Sequence, residues 1–183
     1  NKQREIIYTK RRHALFGERL SLDVSNMIYD TCYNIVNQNH EYKDFESYSQ
    51  EVMKILTINS PVNIEEFKSK SEDEILQITF DKCIENYKNK SKNISQTVLP
   101  QIKDVFKNQS AVYKNIVIPF TDGIKTLQVT ADLEESVNTD GANISKSIEK
   151  GVTLAIIDEV WKEHLREMDD LKQSVQNAVY EQK

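Results

Sequence analysis

The stretch DEVWKEHLREMDDL, residues 158–171, places the only tryptophan of the chain inside a run dominated by charged side chains. Trp161, Leu165, Met168 and Leu171 recur every three or four positions. That is the spacing of one apolar stripe on an α-helix, with the charges confined to the other faces. Read backwards, the stripe continues through Ile157, Leu154, Val152, Ile148 and Ile144; read forwards, it reaches Val175. Asn143 stands where an N-cap belongs. The spacing therefore predicts a helix of about nine turns, longer than globular proteins usually build, and Trp161 is its anchor on the apolar side.

Composition points the same way. Four glycines and three prolines in 183 residues are too few turn formers for a β-barrel or a doubly wound sheet. A hydrophobic fraction of 38% and a charged fraction of 29% describe a soluble helical protein, and the net charge of -5 argues against nucleic acid as a partner. Cys32 and Cys83 form no CxxC pair and each falls at an apolar helical position, so they read as buried, reduced thiols rather than a disulfide or metal ligands. The longest aliphatic run, Val152 to Ile157, is too short to span a bilayer, and no signal peptide is visible. A cytosolic protein, or part of one, is expected.

Working outward, residues 1–19 carry six basic side chains against Glu5 and Glu18. They begin with neither Met nor a capping residue, so a longer helix is expected to be cut here, and Gly17 marks its break. Val24, Met27, Ile28, Cys32, Ile35 and Val36 then predict an amphipathic helix over 21–39, capped by Ser21 or Asp23. A second is predicted over 44–57 with Phe45, Tyr48, Val52, Ile55 and Leu56 on one face. Asn63 with Glu66, and Ser71 with Glu74, are two capping-box signatures. The second launches a helix to about Asn89, and Pro100 suits the start of another carrying Ile102, Val105 and Phe106.

The period changes over 112–131. β-branched and aromatic residues flank Thr121-Asp122-Gly123, which predicts a β-hairpin with Pro119 limiting its strand to an edge. Residues 132–141 are acidic and end in Asp140-Gly141, and they read as a flexible loop. The fold class is therefore mainly α: long helices, a small helical domain and one hairpin.

Catalytic chemistry finds no foothold. Neither GxxxxGK[ST] nor GxGxxG occurs, His164 lacks the second histidine of a zinc-protease helix, and no serine sits in a nucleophile elbow. His13 and His40 have no His or Cys beside them. Asp158 and Lys162 have the i, i+4 orientation that supports a helix. No active site, metal site or bound cofactor is expected in this chain.

Two segments at opposite ends do carry a resemblance. Asp158-x-x-Trp161-Lys162-Glu163-His164-Leu165-x-x-Met168-Asp169-x-Leu171 strongly resembles a signature of SecA, the motor ATPase family of bacterial preprotein export. The opening Asn1-Lys2-Gln3-Arg4-Glu5-Ile6-Ile7-Tyr8, with Arg11, looks like that family's stretch after its second motor domain. The resemblance implies that residues 1–20 and 142–183 belong to a helical scaffold, and that residues 21–141 form a helical wing with a hairpin insertion. Residues 144–183 would then be the first helix and tip of a two-helix finger.

It further implies scaffold or regulatory roles for Gln3, Arg4, Tyr8, Arg11, Trp161, His164, Leu165, Met168, Asp169 and Leu171. Contact with preprotein and with the SecYEG channel would fall to Val179, Tyr180, Gln182 and Lys183. ATP and magnesium would belong to motor domains of the same chain outside this sequence. Its place would be the cytoplasmic face of the inner membrane, with an anionic membrane surface as a further partner. Where the family reads L-R-x-G-I-x-L-R-G-Y, this chain has Leu171-Lys172-Gln173-Ser174-Val175-Gln176-Asn177-Ala178-Val179-Tyr180, without the arginine and both glycines. The chain stops at the fingertip, so dimerisation or an exposed stripe over 154–175 is expected. The competing reading is a free-standing helical adaptor that binds a partner helix along the Trp161 stripe. An RNA-binding helix on Lys10-Arg11-Arg12 is the weakest alternative.

Overall fold

The computed structural model describes residues 2–17 and 19–181, with side chains through Gln176. Its elements are α1 (Lys2–Phe16), α2 (Leu20–His40), α3 (Phe45–Glu51), a π-helical turn (Val52–Leu56), α4 (Ile64–Ser69), α5 (Glu72–Gln109), β1 (Asn115–Thr121), β2 (Thr126–Asp132), α6 (Leu133–Asn138) and α7 (Ala142–Glu181). The mainly α expectation is borne out, and so is the single hairpin.

Two cores share one long helix. The first packs α2, α3 and α4 against the front half of α5, around an aromatic group in which Tyr48 stacks on Phe67 at 4.6 Å and Phe45 and His40 meet Phe67 edge-on. Tyr48 is fully buried and its hydroxyl meets Thr79 Oγ1 at 2.7 Å, so its polar end is satisfied. The second core sits on the rear half of α5, where Ile102 meets Val129 and Ala131 of β2, Leu133 of α6, and Ile144 and Ile148 of α7. Burying each such side chain contributes roughly 1.5–3 kcal/mol before entropy is charged against it.

Both capping boxes form: Asn63 with Glu66 opens α4, and Ser71 with Glu74 opens α5. The hairpin pairs Ile118 with Val129 and Pro119 with Gln128. In its turn the Asp122 carboxylate accepts the N–H groups of Ile124 and Lys125, and Gly123 supplies a positive φ of 92°. Gly17, at φ 69°, breaks α1 from α2.

Several expectations are corrected. The helix to Asn89 and the one starting at Pro100 are a single helix of 38 residues. Pro100 removes one bond to the Gln96 carbonyl, but both residues face solvent, and Val98 and Ile102 on either side pack into the same core. The cap of α2 is neither Ser21 nor Asp23. Arg19 occupies that position without a side-chain bond, while Asp23 pairs with His13.

The helix predicted over 44–57 widens into a π-turn after Glu51, which carries Ile55 out to 54% exposure and ends at Thr57 with φ 57°. Residues 132–141 are no loop, because Asp132 caps α6 and Leu133 is buried. Asn143 does not cap α7, which begins at Ala142. Its backbone N–H goes to Thr139 Oγ1 and its buried amide to Ser136 Oγ.

Candidate functional site: the α1–α7 arm

Helix α7 runs for 40 residues, a rod of roughly 60 Å at 1.5 Å per residue. Its first turns are buried in the second core, and Gly151 lets the hairpin approach: a Cβ there would stand 3.3 Å from Val129 Cγ2. Beyond that level the contacts become polar. α1 lies antiparallel against α7, since Arg11 pairs with Asp158 and, one end further along, His164 Nε2 lies 3.0 Å from Gln3 Oε1.

Trp161 is half-buried between these two ties, its ring 5.7 Å from that of His164. Asp158 thus serves α1, where the sequence suggested Lys162 as its partner. Its neighbour Glu159 is taken by Lys125 of the hairpin turn. Successive helical residues point about 100° apart, so α7 is held at one level from two sides by different elements.

The same polar style marks the joint below. His13 Nδ1 and Asp23 Oδ2 are 3.0 Å apart across the Gly17 break, tying the end of α1 to the start of α2. The Arg12 guanidinium lies 6.0 Å from the Phe16 ring centre.

Past Trp161 no described residue covers the stripe. Leu165, Met168, Leu171 and Val175 are all exposed, and on α1 so are Ile6, Tyr8 and Phe16. Apolar surface arrayed along a protruding rod is unusual for a self-contained domain. Arg4 and Asp169 are exposed on the same two helices. The backbones of Val179 and Tyr180 continue α7, their side chains lie outside the described set, and Gln182 and Lys183 lie outside the described residues.

Between the two cores opens a cavity of about 530 Å³, apolar on most sides, with Met27, Ile55 and Phe120 among its walls. Inside it Tyr87 donates to Glu149; burial, and then that carboxylate, push the phenol well above its ordinary value. Among the described residues no three His, Cys, Asp or Glu side chains cluster as a metal site, and no helix is long and apolar enough to cross a membrane.

The sequence named Gln3, Arg11, Trp161 and His164, and the structure brings them together. It could not pair Lys125 with Glu159, or Tyr87 with Glu149, because those partners lie far apart in the chain and no local spacing announces them.

A half-covered helical rod braced beside a compact helical unit is the architecture of a scaffold-type module. The family it comes from is shown by comparison. The model of the SecA Wing and Scaffold domain matches residues 1–183, and the chain belongs to the SecA family. It is similar to the protein translocase subunits SecA of Porphyromonas gingivalis (45% identical), Bacteroides thetaiotaomicron (43%) and Flavobacterium psychrophilum (45%), in each case over all of this chain and 16% of the relative. The chain thus spans about a sixth of the length of these relatives. No solved structure matches it.

Proposed function

We propose that this chain is the wing and scaffold region of a preprotein translocase, in which residues 1–20 and 142–183 form the scaffold and residues 21–141 the wing. The bare apolar stripe on α7 and α1 carries this reading. Motor domains of the same protein, holding ATP and magnesium, pack on that stripe. Movement at the base of α7 is delivered at its far end, which approaches the SecYEG channel and the passing preprotein at the cytoplasmic face of the inner membrane.

Tyr180 and Val179 provide that end with grip, since a tyrosine ring touches side chains of any kind and its hydroxyl bonds to backbone. Gln182 and Lys183 share in that contact. In this role the chain does no chemistry of its own and couples ATP hydrolysis to movement. Support comes from the family membership, from the length of α7 and from the polar clamps that set its angle.

The test is Tyr180→Ala in the full-length protein. Translocation of a preprotein into SecYEG vesicles is expected to fall several-fold while ATP hydrolysis stays within twofold of the parent. Equal loss of both activities would instead make Tyr180 a structural residue.

A further inference from the structure

The cavity between the two cores plays no part in the transport reading. Its volume of about 530 Å³ falls within the range of sites that enclose a small organic molecule. Most of its wall is apolar: Met27 and Ile28 of α2, Leu56 of the π-turn, Phe120 of β1, and Ile148 and Val152 of α7. Met27 and Ile55 are the exposed apolar members of that wall and so mark its mouth.

The polar groups of the wall are unevenly spent. The Thr31 hydroxyl donates to the Met27 carbonyl, that of Thr153 to the Glu149 carbonyl, and that of Ser145 to the Ser91 carbonyl. Tyr87 donates its hydroxyl proton to Glu149 Oε2, and the Lys90 ammonium is turned to Thr57 Oγ1 at 2.6 Å. These donors are committed. The acceptors are not: among the described residues nothing bonds to Glu149 Oε1 or to the Asn86 amide oxygen, and no cation pairs with Glu149. A half-buried carboxylate in an apolar wall is left short of one positive charge and of N–H donors.

We propose that this cavity binds a small organic amine, its apolar body against α2 and α7 and its protonated primary amino group donating to Glu149 Oε1 and to Asn86. An ammonium supplies both the charge and the donors, and a charge-assisted bond is roughly twice as strong as a neutral one. A hydroxyl head would supply a donor without the charge, and a carboxylate head would meet Glu149 as a like charge. Such a ligand touches α2 and the π-turn on one side and α7 on the other, so its binding joins the first core to the base of α7. The inference rests on the cavity alone and is independent of the transport reading.

The test uses three probes that share one body and differ in the head: phenylbutylamine, phenylbutanol and phenylbutyrate. Each is titrated calorimetrically into the full-length protein at pH 7. The amine is expected to bind saturably and about tenfold or more tightly than the alcohol, and the carboxylate to give no binding. Glu149→Gln, which can still accept from Tyr87, should bring the amine down to the level of the alcohol. Met27→Trp, which narrows the mouth and belongs to neither core, should weaken amine and alcohol alike. Bound amine should also slow hydrogen exchange over 27–31 and 148–153. Equal affinity for amine and alcohol would overturn the proposal, and that comparison needs no variant to fold. So would an amine affinity unmoved by Glu149→Gln, exchange slowed only outside the cavity wall, or no saturable binding of any probe.

Discussion

The first core and the α1–α7 arm are made from the same kind of helix and held by opposite means. In the first core, α2, α3, α4 and the front of α5 surround Tyr48 and Phe67, both fully buried, and the one hydroxyl in that group is bonded to Thr79. In the arm, Arg11 with Asp158, Gln3 with His164 and Lys125 with Glu159 do the holding, and all of these side chains are open to water at least in part. Surface ion pairs contribute about 0–1 kcal/mol each, whereas one buried aromatic is worth several times that. The first core is therefore held mainly by burial. The arm has a definite direction, with little energy of its own to defend it.

That contrast is open to direct attack. The largest effect is expected at Phe67→Ala, which empties the centre of the first core and should cost about 3–5 kcal/mol in urea unfolding. Met168→Ala, on the exposed stripe, should stay within about 0.5 kcal/mol in this chain alone. Comparable losses at the two positions would erase the distinction between core and docking face.

A middle-sized effect is expected with alkali, because Cys32, Cys83, Tyr48 and Tyr87 are all held protonated by burial. Each folded pKa lies above its unfolded value. The stability these groups supply is thus complete below about pH 9 and is lost as pH rises toward the folded values. The unfolding free energy should therefore fall from pH 9 to pH 11 by on the order of 1 kcal/mol per unit. Replacing Cys32 with Ala should blunt that slope, and an unchanged slope would remove its contribution.

The smallest effect is expected at Arg11→Ala, at about 0.2–1 kcal/mol and fading in high salt. Its signature is local: faster hydrogen exchange in α1 with the first core untouched. A global loss would show that the clamp supports the whole fold.

Much of the fold was legible because it was written in local periodicity and caps. The stripe from Ile144 to Val175, the boxes at Asn63 and Ser71, and the Asp122-Gly123 turn each depend on residues a few positions apart. The failures have physical causes. Pro100 normally ends a helix, but here its lost bond faces water while its neighbours are buried. Leu133 and Val137 looked sparse within an acidic run, although Asp132 with Glu135 was a readable cap. The candidate site was legible as a set of names, Gln3, Arg11, Trp161 and His164, but not as a set of contacts, since antiparallel pairing of the two ends is a tertiary fact.

The π-turn at Val52–Leu56 bears on a different matter, the tolerance of the first core to changes in length. A turn of this kind winds one more residue into the helix than an α-turn needs. Deleting one residue here would let regular bonding run on, and would release Thr57 from a left-handed conformation that a β-branched residue seldom adopts. The same deletion one turn earlier would rotate Tyr48 away from Phe67 and Thr79. Insertions and deletions among relatives are thus expected to collect at this turn and to spare the helix just before it.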